Sequence, residues 1–185
     1  MRLDIADESN RQLKPNMCIL ENKEELLSEL DARISSYVHD SIPKSQIVVL
    51  TLKTMETSLI QPEDYRLSSA NALSAERSDG KILFTTVRKF KGLESDAVIC
   101  VDMDETGFNT EQKRNEFYVG TSRAKLCLTI LPVLPTDEKL IALANSISNA
   151  PVNSALKARM NISGALKVKL DKKMASSPEL SEEKS

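Results

Sequence analysis

Glycine is scarce: the 185 residues hold only five, Gly80, Gly92, Gly107, Gly120 and Gly164. A Walker A loop needs G-x-x-x-x-G-K-[ST] and a dinucleotide fingerprint needs G-x-G-x-x-G, because their glycines let backbone N–H groups close on phosphates. Glycines this far apart write neither, so the sequence carries no complete nucleotide cradle of its own. Histidine is scarcer still, with His39 alone, and the three cysteines Cys18, Cys100 and Cys127 are scattered through apolar stretches. That leaves a Cys/His zinc site almost without ligands and a Ser-His-Asp or Cys-His site with a single base that has no nucleophile motif beside it. Free thiols in a reducing cytoplasm are the expectation. Tryptophan is absent and aromatics make up 4%, which gives little material for a platform that stacks successive bases. No apolar run nears the ~20 residues of a membrane helix, and the acidic N-terminus lacks a signal-peptide core. A cytoplasmic location away from membranes is expected.

What is present is a patterned chain of 41% hydrophobic residues with a formal net charge of −2. After a polar stretch over 1–16, Met17-Cys18-Ile19-Leu20 forms a short apolar run. Asn22 is placed to cap a helix with Glu25 three residues on, and Leu26, Leu27, Leu30, Ile34, Tyr37 and Val38 recur at helical spacing over 23–38. Ile47-Val48-Val49-Leu50-Thr51-Leu52 reads as a strand buried on both faces. Residues 53–80 are weakly patterned. Strands follow at 82–87 and 97–103, the second ending in an acidic loop that reads as solvated. A helix over about 111–125, a strand over 126–131 and a last helix capped by Thr136 or Asp137 complete the series. Strands alternating with helices predict an α/β fold around a mainly parallel sheet over 17–150, with the ligand edge at the carboxyl ends of the strands. Residues 151–174 carry a local charge of +5 and the Ser/Glu/Pro-rich end carries −2. Residues 151–185 are therefore expected to form a basic extension with a disordered acidic tail.

Two segments carry chemistry. Thr86, Lys91, Gly92, Leu93 and Glu94 match T-x-x-x-x-K-G-L-E, and Tyr118 through Lys125 match Y-V-[GA]-x-[TS]-R-A-[KM]. In that order, each attached to a buried strand, they resemble motifs V and VI of the UvrD/Rep-like superfamily 1 DNA helicases, in the second, C-terminal RecA-like domain. Two positions depart from the pattern: Arg88 stands where many members have histidine, and Ser122 where threonine is commoner.

The resemblance implies a RecA-like, P-loop NTPase-type fold that lacks its own Walker A loop. It also implies a composite ATP site, with ATP and Mg²⁺ held by an N-terminal ATPase domain in cis or in trans. Arg123 would reach the γ-phosphate, since a planar, permanently charged fork suits charge spreading over phosphoryl oxygens. Glu94 would accept from a ribose hydroxyl, Gly92 would admit close backbone approach, and Lys91 would hold the loop near the phosphates. Thr85, Thr86 and Arg88 would contact single-stranded DNA through phosphate oxygens. Alone, the chain is expected to hydrolyse no ATP. A second reading is a non-catalytic module that keeps the fold and binds nucleic acid or a partner protein.

Overall fold

The computed structural model describes residues 15–61, 71–148, 150–162 and 164. Six strands form one parallel sheet: β1 (Asn16–Met17), β2 (Ile47–Thr51), β3 (Leu73–Ser74), β4 (Ile82–Thr86), β5 (Ser95–Val101) and β6 (Ala124–Leu131), in the order β1-β6-β5-β2-β4-β3. β2 lies inside the sheet, with Val49 opposite Phe84 of β4 on one side and Ile99 of β5 on the other. All five of its residues are buried, as the continuous β-branched run predicts for a strand covered on both faces.

Alternate residues feed two cores. Val48, Leu50, Val98, Cys100, Leu128 and Ile130 pack with Phe117 of helix α2 (Glu111–Thr121) and with Leu140, Leu143 and Ala144 of α3 (Asp137–Ile147). Ile47, Val49, Ile82, Phe84, Ile99 and Val101 pack on the other face with Leu26, Leu27, Leu30 and Ile34 of α1 (Lys23–His39). The Tyr37 hydroxyl shares a hydrogen bond of 2.5 Å with Thr129 Oγ1 and ties α1 to β6. Asn22 caps α1 by accepting from the Glu25 N–H at 2.9 Å, and Glu25 in turn accepts from the Glu21 N–H at 2.8 Å. Thr110 caps α2 and Thr136 caps α3.

Three boundaries differ from expectation. α2 stops at Thr121 and β6 starts at Ala124, not Leu126, because the Ser95 N–H donates to the Arg123 carbonyl at 3.0 Å and draws the chain into the ladder two residues early. Asn16, assigned to the polar N-terminal stretch, already pairs with Thr129. The folded unit also runs past 150. Asn145 holds the backbone of Val152 through both its amide groups, at 2.7 and 3.1 Å, and turns the chain back onto α3. Val152, Ala158 and Ile162 then sit in the same core as Leu143. Residues 1–14 and 165–185, on which the remaining expectations for the two ends fall, lie outside the described residues.

Candidate nucleotide and nucleic-acid interface

β4 ends at Thr86 on the carboxyl edge of the sheet and the parallel β5 begins at Ser95 on the amino edge, so residues 87–94 must cross the whole sheet. Buried Val87 and Phe90 anchor the crossing. Backbone bonds tighten it: the Val87 N–H donates to the Thr51 carbonyl at 3.2 Å, Phe90 to Thr86 at 3.1 Å and Leu93 to Phe90 at 3.1 Å. Gly92 takes a φ of +85°, which suits a residue without Cβ, and leaves the chain extended into β5. α2 packs against the start of the crossing. A Cβ on Gly120 would meet Val87 Cγ2 at 2.9 Å, so glycine sets how closely the two motif segments approach.

The residues singled out in the sequence therefore divide. Glu94 and Arg123 immediately precede Ser95 and Ala124, which pair in register, and lie together on the amino edge. The expected ligand edge is at the strand carboxyl ends, whereas these two residues lie on the opposite edge, because a residue that precedes a parallel strand belongs there. The exposed Glu94 faces Lys125 at 3.7 Å, and the half-buried Arg123 donates through Nε to the Val119 carbonyl at 3.2 Å. Lys91 lies between the edges, beside Val119 and Glu116 in a hollow of about 460 Å³ along α2.

On the carboxyl edge, Thr86 accepts from the Lys89 N–H at 3.2 Å, and the Arg88 side chain is exposed. Thr85, expected at the nucleic-acid side, is instead buried within β4 and offers almost no surface. Arg88 grips Glu116 of α2: Nε and Nη2 both donate to Oε1, at 2.9 and 2.5 Å, and Gln112 adds a third donor at 3.2 Å. Partial burial pushes the Glu116 carboxyl up, but the bonds from Arg88 and Gln112, with the charges of Arg88 and Lys113, hold it below the usual range.

Thr86 and Arg88 open onto a cleft of about 550 Å³ whose further lining includes Lys53, Thr54, Thr57, Lys89 and Lys113 around Leu52 and Met55. None of these additional groups stood out in the sequence. Lys53, Thr54 and Thr57 follow β2 in a stretch without periodicity, whose shape comes from Asp102, just past β5. The buried Asp102, at a φ of +64°, accepts from Thr51 Oγ1 at 2.6 Å, Ser58 Oγ at 2.5 Å and the Leu59 N–H at 2.9 Å. The one available signal was positional, since residues after a central parallel strand fall on the carboxyl edge.

The acidic loop is likewise not simply solvated. Asp104 meets Lys53 at 3.2 Å and accepts from Thr106 N–H and Oγ1 at 3.0 and 2.6 Å, while Glu105 pairs with Lys139 at 3.0 Å. Burial raises the Asp104 carboxyl, and the bonds from Thr106 and Lys53 outweigh it and leave the group below its ordinary value. Among the described residues no cluster of three metal-ligating groups occurs, and no helix is long and apolar enough to cross a membrane.

A six-stranded parallel sheet with helices on both faces is an α/β fold consistent with a RecA-like domain. Residues 81–131, the segment that holds both motifs, match the family model of the UvrD-like helicase C-terminal domain. Among solved structures, the C-terminal domain of a possible DNA helicase from Lactobacillus plantarum WCFS1 is similar at 22% identity and a TM-score of 0.53, covering 80% of this chain and 86% of that one. No curated protein matches the chain. The motif segment thus matches the UvrD-like helicase C-terminal domain family, and the fold is similar to that of the C-terminal domain of a possible DNA helicase.

Proposed function

We propose that this chain is the second RecA-like half of a UvrD-like ATP-dependent DNA helicase and serves two ligands on its two edges. On the amino edge, Arg123 reaches the γ-phosphate of an ATP whose Mg²⁺ and phosphates are held by a Walker A-bearing partner domain. Glu94 accepts from the ribose, with Lys91 and Gly92 shaping the loop behind it. On the carboxyl edge, Thr86, Arg88 and Lys89 hold the phosphates of a single strand, with Lys53 and Thr54 across the cleft. Hydroxyls and cations of this kind bind backbone without reading sequence. Leu52 and Met55 give the cleft an apolar floor in place of the missing aromatics.

The observation that carries this reading is the crossing segment. A single stretch of eight residues joins the cationic cleft to Glu94, whose following residue pairs with the one after Arg123. One rigid connection of that kind suits a domain that must sense a strand and a nucleotide at once.

The purified chain with ATP, Mg²⁺ and single-stranded DNA is expected to show no turnover. Turnover that disappears on Arg123→Ala would mean a complete site resides here and would overturn the half-site reading. Once the ATPase half of a UvrD-like helicase completes the site, Arg123→Ala is expected to lower turnover by about 10³-fold or more.

A further inference from the structure

The cleft that should bind a strand carries anions of its own, Glu56 and Glu116, and Glu116 is the one paired with an arginine. Arg88 presents to Glu116 the Nε/Nη2 edge of its guanidinium, which is also an edge that takes a phosphate in a bidentate contact. A phosphate arriving on that edge must displace the carboxylate or share the cation with it. The pairing is not incidental to a mobile surface. Glu116 is only 22% exposed against 71% for Arg88, it is steadied by Gln112, and it lines the same cleft as Thr86 and Lys89. Across the cleft Lys53 is similarly engaged by Asp104 at 3.2 Å, which makes Glu116 part of a local charge balance.

Resting on the nucleic-acid reading of this cleft, we propose that Glu116 is an internal competitor for strand phosphate: it occupies Arg88 in the free domain and thereby sets how tightly the cleft holds a single strand. Such a competitor must be strong enough to matter and weak enough to yield. Ion pairs of this exposure change an equilibrium by up to about five-fold, which fits both requirements. The carboxyl is held below its usual range, so it remains an effective competitor through neutral pH.

The test is the affinity of the full chain for a fluorescein-labelled oligothymidylate, read by anisotropy at several salt concentrations. Glu116→Gln keeps the size and one acceptor oxygen but removes the charge. It is expected to bind about two- to five-fold tighter than wild type. The plot of log Kobs against log salt should also steepen by up to about 0.7, the value of one further phosphate contact on a single strand. Glu116→Ala should shift both quantities in the same direction, so a folding defect in one variant leaves the other to decide. Both gains should vanish when Arg88→Gln is added.

If Arg88→Gln weakens binding while both Glu116 variants bind like wild type or worse, the competitor role is overturned and the cleft reading stands. Binding indifferent to Arg88, or absent in every variant, would overturn the cleft reading and this inference with it.

Discussion

A carboxylate that is both buried and held at positive φ is unfavourable on two counts, desolvation and backbone strain, so Asp102 is tolerated only for what it accepts. Its three donors come from the end of β2 and from the stretch after it, and together they fix the wall of the carboxyl-edge cleft. Asp102→Ala leaves two hydroxyls and an N–H without that acceptor and is expected to lower unfolding free energy by about 3 kcal/mol in urea titration. Asp102→Asn, which tolerates the same backbone region and keeps one acceptor oxygen, should cost less. A loss below about 1 kcal/mol for the alanine variant would reduce Asp102 to a bystander. The sequence makes Asp102 legible as the end of a buried strand but not as a hub, because its partners lie 51, 44 and 43 residues earlier. Thr85 fails in the opposite way. The motif identifies the segment, but Phe84 and Thr85 are both covered and only Thr86, at the carboxyl end of the strand, is half-exposed, a difference that depends on what packs over each face.

At the level of elements, the crossing and α2 form one packed unit. Gly120 sits within α2, where replacing glycine by alanine ordinarily gains about 0.5–1 kcal/mol. Here the new methyl would meet the stiff, branched Val87 side chain at 2.9 Å, and overpacking costs about 1–3 kcal/mol. Gly120→Ala is therefore expected to destabilise by about 1 kcal/mol net. In a Val87→Ala background the sign should reverse, because the obstacle has gone. Chemical denaturation of the four proteins measures this directly, and a stabilising Gly120→Ala in the wild-type background would show that the two segments are not in close register. Elements with strong internal signals were readable: α1 from its cap and stripe, β2 from its β-branched run. The junction of α2 and β6 was not, since Ser122 to Lys125 continue a helical pattern and only the cross-strand bond from Ser95 ends it. Gly120 shows the same limit, because a glycine at a helix end is readable in sequence while the valine it must clear is not.

For the molecule as a whole, the extent of the folded unit is a question of what the last core needs to be closed. Composition places a boundary at Pro151, where apolar residues thin and lysines accumulate. The structure nevertheless returns 152–162 to α3, with Leu156 and Met160 left exposed on the outside of that segment. Lys157 and Arg159 thus lie on the outer face of a packed segment, whose three buried residues are too widely spaced among polar ones to stand out. Ending the chain after residue 150 strips Val152, Ala158 and Ile162 from the core and uncovers the α3 surface beneath them. At about 1.5–3 kcal/mol for each large buried side chain, the truncated protein should lose about 3 kcal/mol or more relative to a chain ended after residue 164. The double change Leu156→Ser with Met160→Ser, on the exposed face, should stay within about 0.5 kcal/mol of its parent. Thermal and urea unfolding of the three proteins separate the alternatives. If truncation at 150 is silent, the segment is an appendage and the domain ends where composition places it. If truncation destabilises and the serine pair does not, the segment seals the core behind α3, on the same face of the sheet as α2.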